Sequence, residues 1–89
     1  MFYYVYVLKC SSSELQKLYI GYCKDLKERI KRHLKKEIRT TKKFDRINLI
    51  YYEACLSKKD AVKRETQLKT GFGRGYLKRR LKDYLNRRV

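Results

Sequence analysis

The segment Phe2–Cys10 (FYYVYVLKC) constrains the fold more than any other stretch of the chain. It holds the longest apolar run, Phe2 to Leu8, which is too short to cross a bilayer. It lacks the basic leader and the small-residue cleavage site of a signal peptide. Its Tyr and Val side chains suit a pleated surface, so it reads as a strand. Tyr4, Tyr6 and Leu8 then share one face, and Tyr3, Val5 and Val7 the other. A polar stretch, Ser11–Gln16, leads to Lys17–Cys23 (KLYIGYC), a second strand that completes a hairpin with a fairly long loop.

The rest of the chain alternates. Asp25-x-x-Glu28 is a capping-box pattern that predicts a helix. Leu26, Ile30 and Leu34 form its expected buried stripe. The basic segment 39–43 reads as a loop, and Ile47–Ala54 as a third strand. Ser57-x-x-Asp60 marks a second helix running to about Lys69. The segment Gly71-Phe72-Gly73-Arg74-Gly75 reads as a turn, followed by a last helix over about Tyr76–Arg87 with Leu77, Leu81 and Leu85 on one stripe. The expected fold is α+β: a three-stranded, mainly antiparallel sheet flanked by helices, in the order β-β-α-β-α-α. No proline, repeat or low-complexity tract marks a boundary, so residues 1–89 are expected to form one domain.

Charge narrows the partner. The chain has 25 Lys and Arg against 9 Asp and Glu, a formal net charge of +16. Such an excess points to a polyanion. Lys42 and Lys43 in the loop, and Lys69, Arg74, Lys78 and Arg79 around the glycine segment, are the expected nucleic-acid contacts. The glycine segment is no phosphate loop, because it lacks G-x-x-x-x-G-K-[ST] and a preceding strand. An anionic membrane surface, met by the last helix, is the weaker alternative. Cys10, Cys23 and Cys55 are odd in number and widely spaced, without C-x-x-C, and read as reduced thiols of a cytoplasmic protein. A Cys10–Cys23 bridge is the disfavoured alternative.

Several residues resist a purely structural reading. Glu65 falls between Ala61 and Leu68 on the expected inner stripe of its helix, where a carboxylate loses hydration and needs a cation. A salt bridge or a metal would each satisfy it. Arg29 and His33 lie four apart on the flank of the first helix's apolar stripe. A lone histidine there is more often a packing residue than a catalyst. Gly21, in mid-strand, implies a bulge or the close approach of another group.

Together these residues resemble the GIY-YIG endonuclease superfamily. Tyr19-Ile20-Gly21 is an intact second half of the eponymous motif, and Tyr4-Val5-Tyr6 stands where the first half has Gly-Ile-Tyr, keeping the tyrosine. Arg29, eight residues after Gly21, is similar to the family's helical arginine, His33 to a histidine of many members, and Glu65 to the metal-binding glutamate. The resemblance spans about Tyr3 to Arg80 and is nearest to small stand-alone members related to the nuclease domain of bacterial nucleotide-excision repair. It implies a phosphodiester hydrolase, with Tyr6, Tyr19, Arg29 and His33 catalytic and Glu65 holding one Mg²⁺ or Mn²⁺. It further implies that Tyr6 is the base, with a phenol pKa lowered by a neighbouring cation or metal-bound water. The implied partner is DNA, with RNA left open, and no membrane or small-molecule substrate. Without a separate reading domain, a monomer that selects single-stranded, flapped or branched DNA over base sequence is expected. A non-catalytic nucleic-acid-binding module on the same fold is the competing reading.

Overall fold

The computed structural model describes residues 1–87. Three strands, β1 (Tyr3–Ser11), β2 (Gln16–Cys23) and β3 (Arg46–Cys55), form an antiparallel sheet in the order β2-β1-β3. The N-terminal strand is therefore central, and both its faces are covered. Val5 and Val7 pack against Ala61, Leu68 and Leu77 on one side, and Tyr6, Leu8 and Cys10 pack with Phe44 and Ile47 on the other. The first side is closed by α2 (Lys58–Leu68) and α3 (Gly71–Arg80), and the second, in part, by α1 (Leu26–Leu34). This is the expected α+β order, with an added four-residue helix, α4 (Lys82–Leu85). Cys10 and Cys23 are buried free thiols, so no bridge links them.

The capping residues act as read. The Asp25 carboxylate accepts the Glu28 backbone N–H at 3.0 Å, and Ser57 Oγ accepts that of Asp60 at 3.5 Å. The inner face of α1 is different from the expectation. Leu34 is 56% exposed, while His33 is fully buried. Each four-residue step overshoots a full turn by about 40°, so a Leu26–Ile30–Leu34 stripe drifts around the helix. The inward sector runs from Arg29 through His33 and Leu26 to Ile30, and Leu34 falls beyond its edge. Val62, an apolar residue of α2, is likewise exposed.

The glycine segment is helical, not a turn. Thr70 caps α3 by accepting the Gly73 N–H at 3.2 Å. Gly73 is buried, and a Cβ there would run into the backbone of Leu68, so glycine is what lets α3 start close against the end of α2. The single helix expected over about Tyr76–Arg87 is interrupted at Leu81, which separates α3 from α4.

A polar network fastens α2 to the sheet. Arg64 donates from Nε and Nη2 to both Glu53 carboxylate oxygens, at 2.9 Å each for the closest pairs, and its guanidinium lies 4.6 Å from the Tyr76 ring centroid. The Tyr51 hydroxyl donates to Glu53 at 2.8 Å. Burial alone would raise the Glu53 carboxyl; Arg64 and Tyr51 outweigh it and hold the group below its ordinary value.

The close approach of Gly73 to Leu68 sets a contrast between two nearby glycines. Gly73→Ala should lower the urea unfolding free energy by more than about 2 kcal/mol. Gly71→Ala, where a Cβ meets open space at the first turn of α3, should be neutral or stabilising by up to about 1 kcal/mol.

Candidate active site

The site is built around the one place where a missing side chain matters. Tyr6 on central β1 pairs with Gly21 on outer β2. The Tyr6 ring lies close against that glycine; a Cβ on Gly21 would stand 2.5 Å from the Tyr6 hydroxyl and 2.6 Å from Cζ. The phenol can thus reach sideways toward the β2 edge of the sheet. The close approach expected at Gly21 comes from this ring.

At the end of that reach the Tyr6 hydroxyl meets His33 Nε2 at 2.9 Å, and His33 Nδ1 lies 2.7 Å from Thr41 Oγ1. Tyr6, His33 and Thr41 are all 0% exposed. Tyr19 packs edge-on against His33, with ring centroids 5.2 Å apart, and lies 6.2 Å from Tyr6. Arg29 Nη1 donates to the Tyr22 carbonyl at 3.5 Å, and its guanidinium bears on the Tyr6 phenol. Four residues expected to act together, Tyr6, Tyr19, Arg29 and His33, are therefore neighbours.

Burial decides the electrostatics. It pushes the Tyr6 phenol well above its ordinary value; Tyr19 adds to the rise, and Arg29 offsets only part of it. This corrects the expectation of a lowered Tyr6 pKa. Burial also lowers His33 to about 4, helped by the positive charges of Arg29 and Arg32. At neutral pH the ring is uncharged, so one of its nitrogens is free to accept a hydrogen bond.

Outside this buried pair, Tyr19 opens onto a groove of about 540 Å³ along the edge of β2. Leu18, Ile20, Leu68 and Leu77 give it an apolar floor, and Lys17, Lys69, Arg74 and Lys78 line it with cations. Three of the six expected nucleic-acid contacts, Lys69, Arg74 and Lys78, meet here. Arg79 does not; it lines a separate hollow between α3 and α4 with Arg80 and Arg87. Lys42 and Lys43 are exposed on the loop after α1, whose Thr40 also borders the groove.

Glu65 projects from α2 with a side chain 20% exposed, its carboxylate 3.4 Å from Lys69 Nζ. The cation required by its position is thus Lys69, one turn along. Among the described residues no three His, Cys, Asp or Glu gather into a cluster, so a divalent ion at Glu65 would meet a sparse donor set of fewer than three such ligands. That set suits Mg²⁺ or Mn²⁺, which keep most of their waters and share phosphate oxygens of a substrate. It does not suit zinc, which takes three or four protein ligands.

Sequence reading missed Thr41. It sits between Thr40 and Lys42 in a basic loop, and a threonine in such surroundings carries no sign of burial. Only the turn bonds of Thr41 and Lys42 to the Ile38 carbonyl, at 3.1 and 2.9 Å, carry it under the loop toward His33.

Two outcomes follow from this geometry. Gly21→Ala should displace the Tyr6 ring, break its bond to His33 and remove whatever activity the site has, with a stability loss of about 1–3 kcal/mol by thermal melting. His33 binds its proton less readily folded than unfolded, so the unfolded chain carries more protons between about pH 4 and the ordinary histidine value. Stability should therefore rise with pH across that window, and the His33 ring resonances should titrate near pH 4.

The GIY-YIG catalytic domain matches residues 2–76. UPF0213 proteins of Staphylococcus aureus strains Mu3, Mu50 and N315 are each 36% identical over 69 residues, covering 76% of this chain and 80% of theirs. No solved structure matches significantly. With Tyr6, Tyr19, Gly21, Arg29 and Glu65 in order along the matched segment, the chain belongs to the GIY-YIG catalytic domain family.

Proposed function

We propose that the chain is a metal-dependent endonuclease that hydrolyses phosphodiester bonds in DNA and selects unpaired or branched structure rather than base sequence. The carrying observation is the buried Tyr6–His33 hydrogen bond beside Arg29 and Tyr19, the last of which also lines a cationic groove. Residues 1–89 act in this reading as one nuclease domain. The groove supports the structural preference. Its apolar floor beneath cationic walls suits bases that are out of a duplex stack, with the phosphates held by Lys69, Arg74 and Lys78.

The Arg29 guanidinium turns from the buried Tyr6 phenol to the scissile phosphate, neutralising its growing charge and uncovering the Tyr6 hydroxyl for the attacking water. The water oxygen bonds to phosphorus as its proton passes to Tyr6 Oη. The phenol proton passes at the same time to His33 Nε2, giving an imidazolium. The bond from phosphorus to the 3′ oxygen breaks, and that oxygen takes a proton from solvent. This route avoids a free phenolate, which burial makes costly. Arg29 is one of the charges that lower His33, so pairing it with a phosphate also makes His33 a better acceptor. Tyr19 packs against His33 and borders the incoming strand. Glu65 would hold Mg²⁺ or Mn²⁺, whose charge stabilises the leaving oxygen when bound.

The test is cleavage of labelled single-stranded, duplex, nicked and branched DNA, with Mg²⁺ or Mn²⁺ and with EDTA. Cutting should need the metal, favour the substrates with unpaired strands, and fall by at least about 10²-fold in both Tyr6→Phe and Glu65→Ala. Glu65→Ala should still bind DNA. Binding without cutting under either metal would instead leave a recognition module on this fold.

A further inference from the structure

Counting protons in the buried group assigns a direction to each of its bonds. Tyr6 is fully buried, so its O–H needs an acceptor. Arg29 has only donors to offer, which leaves His33 Nε2, at 2.9 Å. Nε2 must then be unprotonated, and in a neutral ring the proton sits on Nδ1. That N–H points at Thr41 Oγ1, 2.7 Å away, and the Thr41 hydroxyl in turn donates to the Ile38 carbonyl at 3.5 Å. The bonds run one way, from Tyr6 through His33 and Thr41 to the backbone, and every buried donor is used. The reverse arrangement, with Nε2–H donating to Tyr6, strands the phenol proton without an acceptor.

We propose that Thr41 is a positioning residue whose hydroxyl oxygen holds His33 in the Nδ1–H form, so that Nε2 stays available to the Tyr6 phenol. The low affinity of His33 for a second proton keeps the ring neutral at pH 7, so the choice left is between its two tautomers. Thr41 touches neither substrate nor the reacting atoms. The tautomer itself is independent of the nuclease reading, and only its effect on turnover rests on that reading.

His33 is the only histidine in the chain, so the full-length protein labelled with ¹⁵N-histidine gives one unambiguous imidazole. Long-range ¹H–¹⁵N correlation at pH 7 should show Nδ1 protonated and Nε2 bare, the minor form of free imidazole. Thr41→Ser keeps the hydroxyl and should keep this pattern. Thr41→Val removes the acceptor and should lose it, with kcat falling about tenfold or more while KM is little changed. Should Thr41→Val fail to fold, Thr41→Ala replaces it, and the wild-type and Thr41→Ser spectra remain decisive. Nε2–H in the wild type, or Nδ1–H retained without a hydroxyl at position 41, would overturn the proposal. If the tautomer follows the hydroxyl but the wild type cuts no substrate, the nuclease reading falls and the role of Thr41 in setting the tautomer stands.

Discussion

The contact between the Tyr6 ring and the bare Cα of Gly21 is the constraint on which the rest of the site depends. A central strand is normally a poor place for a reactive group, because its side chains are shut in by neighbours on both flanks. Here the flank on one side has been removed. With no side chain on Gly21, the phenol leaves the middle of the sheet and ends beside His33, near the outer strand. The sheet stays continuous beneath it, so the hydroxyl rests on a paired backbone rather than on a loop.

The edge of β2 is also where the two faces of the sheet come together. Tyr6, Tyr19 and His33 belong to the α1 side, while Lys69, Arg74 and Lys78 come from α2 and α3 on the other. Of the first group Tyr19 reaches the groove at this edge, where it meets the three cations. The position of α2 is therefore part of the site, and it is set by the Glu53–Arg64–Tyr76 network one residue before Glu65. Packing of Ala61 and Leu68 fixes the depth of the helix, and the bidentate ion pair adds a directional hold.

Much of this was legible in the sequence because it rests on local rules. Tyr- and Val-rich alternation marked the strands, Asp25 and Ser57 marked helix starts, and Gly21 signalled a close approach. Glu65 announced its need for a cation through its helical position alone. The failures have a different origin. The burial of His33 depends on how α1 rolls against the sheet, which its nine residues do not specify. The helix over Gly71–Arg80 forms against glycine's weak propensity because Thr70 caps it and Leu68 leaves space only for hydrogen at Gly73. Thr41 was invisible because its partner is brought to it by tertiary packing.

An unpaired strand edge is also a template on which a second copy of the same protein could add a strand. In the nuclease reading the groove admits a strand along β2, so that edge cannot be protected by covering it. The cations along it supply another protection. Lys17 within the strand, and Lys69 and Lys78 across from it, set like charge against like when two such edges meet. The same charges that suit a polyanion thus oppose edge-to-edge pairing, and both are effects of one lysine pattern.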